Sequence, residues 1–268
     1  MKKIKKYINR ILKVVKLDEM EILPGHLAFY FIFIIIPVVS FIGLIGNNID
    51  INYNNYYFNK SIPNAVISLI TKVNINYDIN IYIFMILSLY LASRGTRAII
   101  LTSNTLFKIK DKDIIKIRIK SIIMVIILFM LINFIIIVPI LGDIIIDFLT
   151  NNLKEILIIN TIYHLLKYPI SILLMFILIK TLYLMSPSMK IESKYMNNGA
   201  FFTTIMWLIL SRIYSYYLNN FNNYNLYFGN MGSILILLVW VYLLSYIFVI
   251  GLAINSNNYL LSLKECNK

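Results

Sequence analysis

Two arginines stand three residues apart in "YLASRGTRAIILTSN" (90–104), a run otherwise apolar enough for a membrane helix. On a helix, Arg94 and Arg97 share a face with each other and roughly with Leu101 and Asn104. An arginine at the bilayer centre costs about 2.5–3.5 kcal/mol on insertion scales, so a pair there needs a polar cavity or lipid phosphates. From Ile79 to Ser93 is 15 residues, about 22 Å at helical rise and short for a span. Two arrangements follow. In one the helix tilts into a thinned bilayer and both arginines snorkel at the inner boundary. In the other it continues through "AIILTS", and Arg94, Arg97 and Asn104 line a basic pocket that binds an anionic headgroup. Gly95, between the arginines, would permit a helix break lining such a cavity.

Composition decides what solvent these elements fold in. With 60% hydrophobic and 14% charged residues and a mean hydropathy of +0.78, the chain is too apolar for a soluble domain, which averages about 45–50% apolar and about 25% charged. A membrane protein is expected. The abundance of Ile, Asn, Lys and Tyr reads as AT-rich coding, which discounts clusters such as "NNFNNYNLYFGN" (219–230) as binding motifs. Cys266, the single cysteine, allows no intramolecular disulfide. No secretory signal peptide is expected, since "MKKIKKYINRILKVVK" is too long and amphipathic for one.

Six segments approach the about 20 apolar residues that a span needs: 24–46, 79–101, 120–141, 162–185, 199–219 and 232–254. Lysine and arginine set the orientation, because cytoplasmic loops hold the excess. Residues 1–23 carry 7, 94–120 carry 8, 186–198 carry 2 and 255–268 carry 2 of the 25. An all-α protein with six transmembrane helices, both termini cytoplasmic, is the expected fold. Its parts are a basic amphipathic helix over 1–20, a six-span domain over 21–258 and a short cytoplasmic tail over 259–268. In the first, Ile4, Ile8, Ile11 and Val15 recur at helical spacing among lysines, which suits the inner membrane surface. The segments 61–73 and 143–159 have helical apolar spacing and could cap the outer face.

Of the net charge of +13, about +12 falls on the expected cytoplasmic side, so anionic headgroups, not nucleic acid, are the expected partner. Other polar groups fall within or beside spans. Arg212 reaches towards the outer face, where Asp143 and Asp147 are plausible ion-pair partners; Lys180 snorkels; Asn133 suits an interhelical hydrogen bond. Pro37 should kink the first span. The spacings Gly43/Gly46 and Gly229/Gly232 allow close helix approach, and self-association is left open.

Several stretches carry a family resemblance. "HLAFYFIFIIIPVVSFI" (26–42) resembles the first span of the YihY/BrkB family, and "SRGTRAIILTSNTLF" (93–107) is similar to its segment after the second span. "YLMSPSMK", "NGAFFTTIMWLILSRIYSYYLNNF" and "YFGNMGSILILLVWVYLLSYIFVIGLAIN" follow the family's order of motifs over the carboxy-terminal third. The resemblance implies a polytopic inner-membrane protein of a family whose members have been called ribonuclease BN or virulence factors.

A nuclease needs clustered carboxylates for two metals, or a His-based acid/base pair. His26 and His164 are expected on opposite sides of the membrane, and the cytoplasmic acids are scattered among lysines. No Walker loop, GxGxxG, GxSxG or HExxH is present, so no enzyme, metal or cofactor is expected. The leading expectation is a transporter-like protein that binds or translocates an anionic amphiphile such as a lipid. The alternative is a membrane scaffold acting through its basic amino terminus, and the ribonuclease label is disfavoured.

Overall fold

A computed structural model describes residues 22–32, 79–109, 113–131, 157–220 and 230–266. Every regular element among them is helical: α1 (22–32), α2 (Ile79–Leu106), α3 (114–131), α4 (Leu157–Met185), a 3-10 turn (Ser193–Met196), α5 (Asn197–Asn220) and α6 (Asn230–Cys266). The window Ile236–Leu263 of α6 is long and apolar enough to cross a membrane, and Ile22–Ile32 and Pro169–Met185 are shorter apolar stretches. The amphipathic segment 1–20, both outer-loop candidates up to residue 156, Pro37, Gly43, Gly46, Asn133, Asp143, Asp147 and Gly229 lie outside the described residues.

α2 ends at Leu106, past the expected end at residue 101. It runs unbroken for 28 residues, about 42 Å at helical rise, so the helix continues through "AIILTS" past both arginines. Gly95 breaks nothing; it is buried within the helix. The helix stops where the backbone caps itself. Lys108 takes a left-handed φ of 57°, its N–H donates to the Thr105 carbonyl at 3.1 Å, and the Ile109 N–H donates to the Asn104 carbonyl at 2.9 Å. This pair of bonds satisfies the last carbonyls, although glycine is the usual residue at that position. α3 starts six residues before the expected span. Asp113 caps it by accepting from the Lys116 N–H at 3.2 Å, and the Lys116 ammonium lies 2.9 Å from the same carboxylate. α6 runs to Cys266, so the expected tail continues the last helix. α4 ends at Met185, two residues before Pro187, whose ring cannot continue a helix.

The core sits where α4, α5 and α6 meet, with Ile99 and Ile100 of α2 and Met124 of α3 joining it. α5 and α6 touch backbone to backbone. A Cβ on Gly199 would overlap the Gly251 carbonyl and the Asn255 side chain; one on Gly251 would overlap the Thr203 and Tyr183 hydroxyls. Asn255 closes the crossing, accepting from the Gly199 N–H at 2.7 Å and donating to the Met196 carbonyl at 3.2 Å. Tyr183 on α4 donates to the Phe248 carbonyl at 2.8 Å, and its oxygen lies 2.7 Å from the Thr203 hydroxyl. The tyrosine proton is already used, so Thr203 is the donor of the second bond. Ser245 donates to the Pro24 carbonyl at 2.5 Å and fixes α1.

Gly251→Ala should therefore destabilise the fold by about 1–3 kcal/mol, because the new methyl meets the mutually hydrogen-bonded Thr203 and Tyr183 hydroxyls and the Gly199 carbonyl. Gly25→Ala, with open space around the new carbon, should be neutral or stabilising. Thermal unfolding of both variants in detergent checks the contrast. At the end of α2, Lys108→Gly should raise stability by about 0.5–1 kcal/mol by relieving the left-handed strain. The Lys116 contacts hold the Asp113 carboxyl below its ordinary value of 3.8. The sign follows: its contribution is present above pH 3.8 and fades as pH falls through the lowered value. Acidification should speed amide exchange in the first turn of α3, and Asp113→Ala should remove that dependence.

Candidate anion site

Both arginines of the opening stretch lie on one continuous helix, but in different surroundings. Arg94 is exposed and its guanidinium carbon stands 5.8 Å from the centre of the Tyr90 ring. Arg97 is half-buried, and its Nε is fully buried with no hydrogen-bond partner. A guanidinium cannot shed its charge, so the unmatched N–H retains its desolvation cost until an acceptor reaches it.

A third arginine completes the group. The Arg118 guanidinium carbon lies 4.9 Å from the centre of that same Tyr90 ring, so one aromatic ring is shared by cations from α2 and α3. Thr96 holds the two helices at this level, donating to the Ser121 carbonyl at 2.7 Å. The Ser121 hydroxyl donates in turn to the Arg118 carbonyl at 2.7 Å.

The arginines interrupt an apolar outer face. Ile86 and Leu87, 69% and 55% exposed, lie on the Ile79 side of the cluster, and Leu101, 41% exposed, lies on the Leu106 side. On α3, Ile119, Ile122, Ile123 and Ile126 are exposed as well. Measured along α2 from Leu106, Arg97 and Arg94 stand about 14 Å and 18 Å up the helix.

Asn104, expected beside the arginines, is occupied differently. Its amide nitrogen donates to the Ser188 hydroxyl at 2.7 Å, and its oxygen accepts the Ser188 N–H at 2.9 Å. Ser186 donates to Ser103 at 3.1 Å, Lys120 donates to the Pro187 carbonyl, and Ser256 donates to the Leu106 carbonyl at 2.5 Å. These bonds clamp the end of α2 to the α4–α5 connection and to α6. Of the other expected groups, Arg212 is exposed on α5 and Lys180 is half-buried on α4. Among the described residues, no group of three or more His, Cys, Asp or Glu is placed to hold a metal.

Comparison with known proteins decides the lineage. The family described as Virulence factor BrkB matches residues 11–261. The chain belongs to the BrkB family. One relative, the putative ribonuclease-like protein YfkH of Bacillus subtilis (strain 168), is 23% identical over 258 residues, covering 93% of this chain and 94% of its own. A UPF0761 membrane protein of Glaesserella parasuis serovar 5 (strain SH0165) is 27% identical over 89 residues, covering 33% of this chain and 31% of its own. No solved structure matches this BrkB-family chain at a significant level.

Sequence reasoning missed Arg118 and Tyr90. Arg118 falls in "KIRIKS", where it counts as one more loop cation until α3 is seen to start at residue 114. The signal was the isoleucine spacing 115, 119, 122, 126, which already has helical period. Asn104→Ala should cost about 1–2 kcal/mol by unpairing the Ser188 groups, whereas Arg94→Gln should leave stability within about 0.5 kcal/mol. Unfolding midpoints in detergent measure both.

Proposed function

We propose that this integral membrane protein of the BrkB family binds an anionic amphiphile, most simply a lipid, and passes its headgroup along the Arg94–Arg97 face. One observation carries the reading: Arg94 and Arg118 share the Tyr90 ring on an apolar outer face, and Arg97, one helical turn from Arg94, holds a buried Nε with no partner. An apolar surface suits an acyl chain, and unmatched cations suit its headgroup. In this reading the chain crosses the cell membrane six times with both termini in the cytoplasm, and the Leu106 end of α2 faces the cytoplasm. The lysine and arginine distribution supports that orientation.

The protein is taken as a non-enzyme that engages anionic headgroups on the cytoplasmic leaflet and does not engage nucleic acid. The ribonuclease-like name of YfkH is not extended to it. Hydrolysis of RNA calls for an acid/base pair or metal-holding carboxylates, while the described cluster consists of arginines around a tyrosine.

The test is lipid translocation in proteoliposomes containing a fluorescent anionic lipid, with wild type and Arg94→Gln/Arg97→Gln at equal folded protein. Wild type should accelerate headgroup exchange between leaflets, and the double variant should fall at least about tenfold, towards the protein-free rate, the equivalent of about 1.4 kcal/mol. Equal rates for wild type, variant and empty vesicles would remove the arginines from any transport path. That outcome would favour a scaffold acting through residues 1–17.

A further inference from the structure

We infer that Arg94, Arg97 and Arg118 form a single site, spanning α2 and α3, for a doubly charged phosphate monoester attached to an apolar tail. This rests on the anionic-amphiphile reading and narrows it to one headgroup chemistry.

Tyr90 shows that the two helices contribute to one place. Guanidiniums from Arg94 and Arg118 approach the same ring, at 5.8 and 4.9 Å from its centre. Each contact offsets a little cation desolvation, but a tyrosine ring carries no net charge and leaves their mutual repulsion in place. The described acids near this end of the bundle are engaged elsewhere: Asp113 with Lys116 at 2.9 Å and Glu192 with Lys194 at 2.5 Å. Arg97 adds the buried Nε that has no acceptor.

Charge then selects the ligand. A phosphate diester carries one negative charge and would leave two of the three cations uncompensated. A monoester carries about −1.5 to −2 at pH 7, with a second ionisation near pH 6, and offers three terminal oxygens. Three forked donors match three oxygens, and the fork distinguishes arginine from lysine here. The exposed apolar side chains on either side, Ile86, Leu87 and Leu101 on α2 and Ile122 and Ile126 on α3, supply the surface along which a tail would lie. Inorganic phosphate shares the headgroup chemistry but gains nothing from that surface.

The experiment uses the full-length protein in phosphatidylcholine nanodiscs and measures displacement of a fluorescent anionic lipid by phosphatidic acid, phosphatidylglycerol and inorganic phosphate. At pH 8 phosphatidic acid should compete about tenfold better than phosphatidylglycerol, and at pH 5.5 the gap should narrow to about threefold as the second proton returns. Arg118→Gln should close the gap at pH 8 while leaving phosphatidylglycerol within about threefold of wild type, and Arg118→Lys should restore only part of it. Matching melting temperatures for the variants establish that folding is not the cause. Equal competition by the two lipids on wild type at pH 8 would overturn the monoester assignment and leave the broader reading standing. Failure of every anionic lipid to compete would overturn both. Inorganic phosphate competing as well as phosphatidic acid would overturn the tail, and an unchanged gap in Arg118→Gln would remove α3 from the site.

Discussion

In a chain this apolar, each buried polar group must find a partner inside the protein, and that constraint organises the bundle. Asn255, Tyr183, Thr203, Thr96, Ser186 and Ser256 all meet it with bonds that cross from one element to another. The Gly199–Gly251 crossing makes several of these bonds available, because only without side chains do α5 and α6 approach closely enough for Asn255 to reach across. Apolar packing alone would hold the helices together without fixing their register. The polar pins set it.

Against that background the Arg97 Nε is one of three exceptions among the described residues, with the Thr102 hydroxyl and the Trp240 indole N–H, and the one that belongs to a charged group. The α2–α3 pair is rigid enough to hold it. Thr96 and Ser121 join the helices beside the arginines, and Asn104, Ser103 and Lys120 tie the lower end to residues 186–188. A cation cluster on a loosely held helix would swing to water. One held on clamped helices stays in place.

Much of this is legible in the sequence, and the differences have physical causes. Apolar run length locates helices α2 to α6, and Pro187 marks the end of α4, because these depend on local chemistry. The end of α2 escapes notice because the self-capping turn at Lys108 uses a lysine where glycine is the usual signal. Gly95 suggests a break, but one glycine in a long apolar helix is tolerated when neighbours pack against it. The Arg94–Arg97 pair is visible as spacing, whereas its third member is not. Arg118 belongs to the cluster only because α3 packs beside α2, a long-range fact that spacing does not encode. Asn104 suits a ligand by its helix position, yet its amide is matched on both sides by Ser188.

The central claim is that the arginine face holds an anionic headgroup, and native mass spectrometry of protein extracted gently from its membrane tests it most directly. Wild type should retain anionic lipid adducts enriched over the bulk membrane, and Arg94→Gln/Arg97→Gln should lose that enrichment while keeping its zwitterionic lipids. Identical lipid complements on the two proteins would contradict the account.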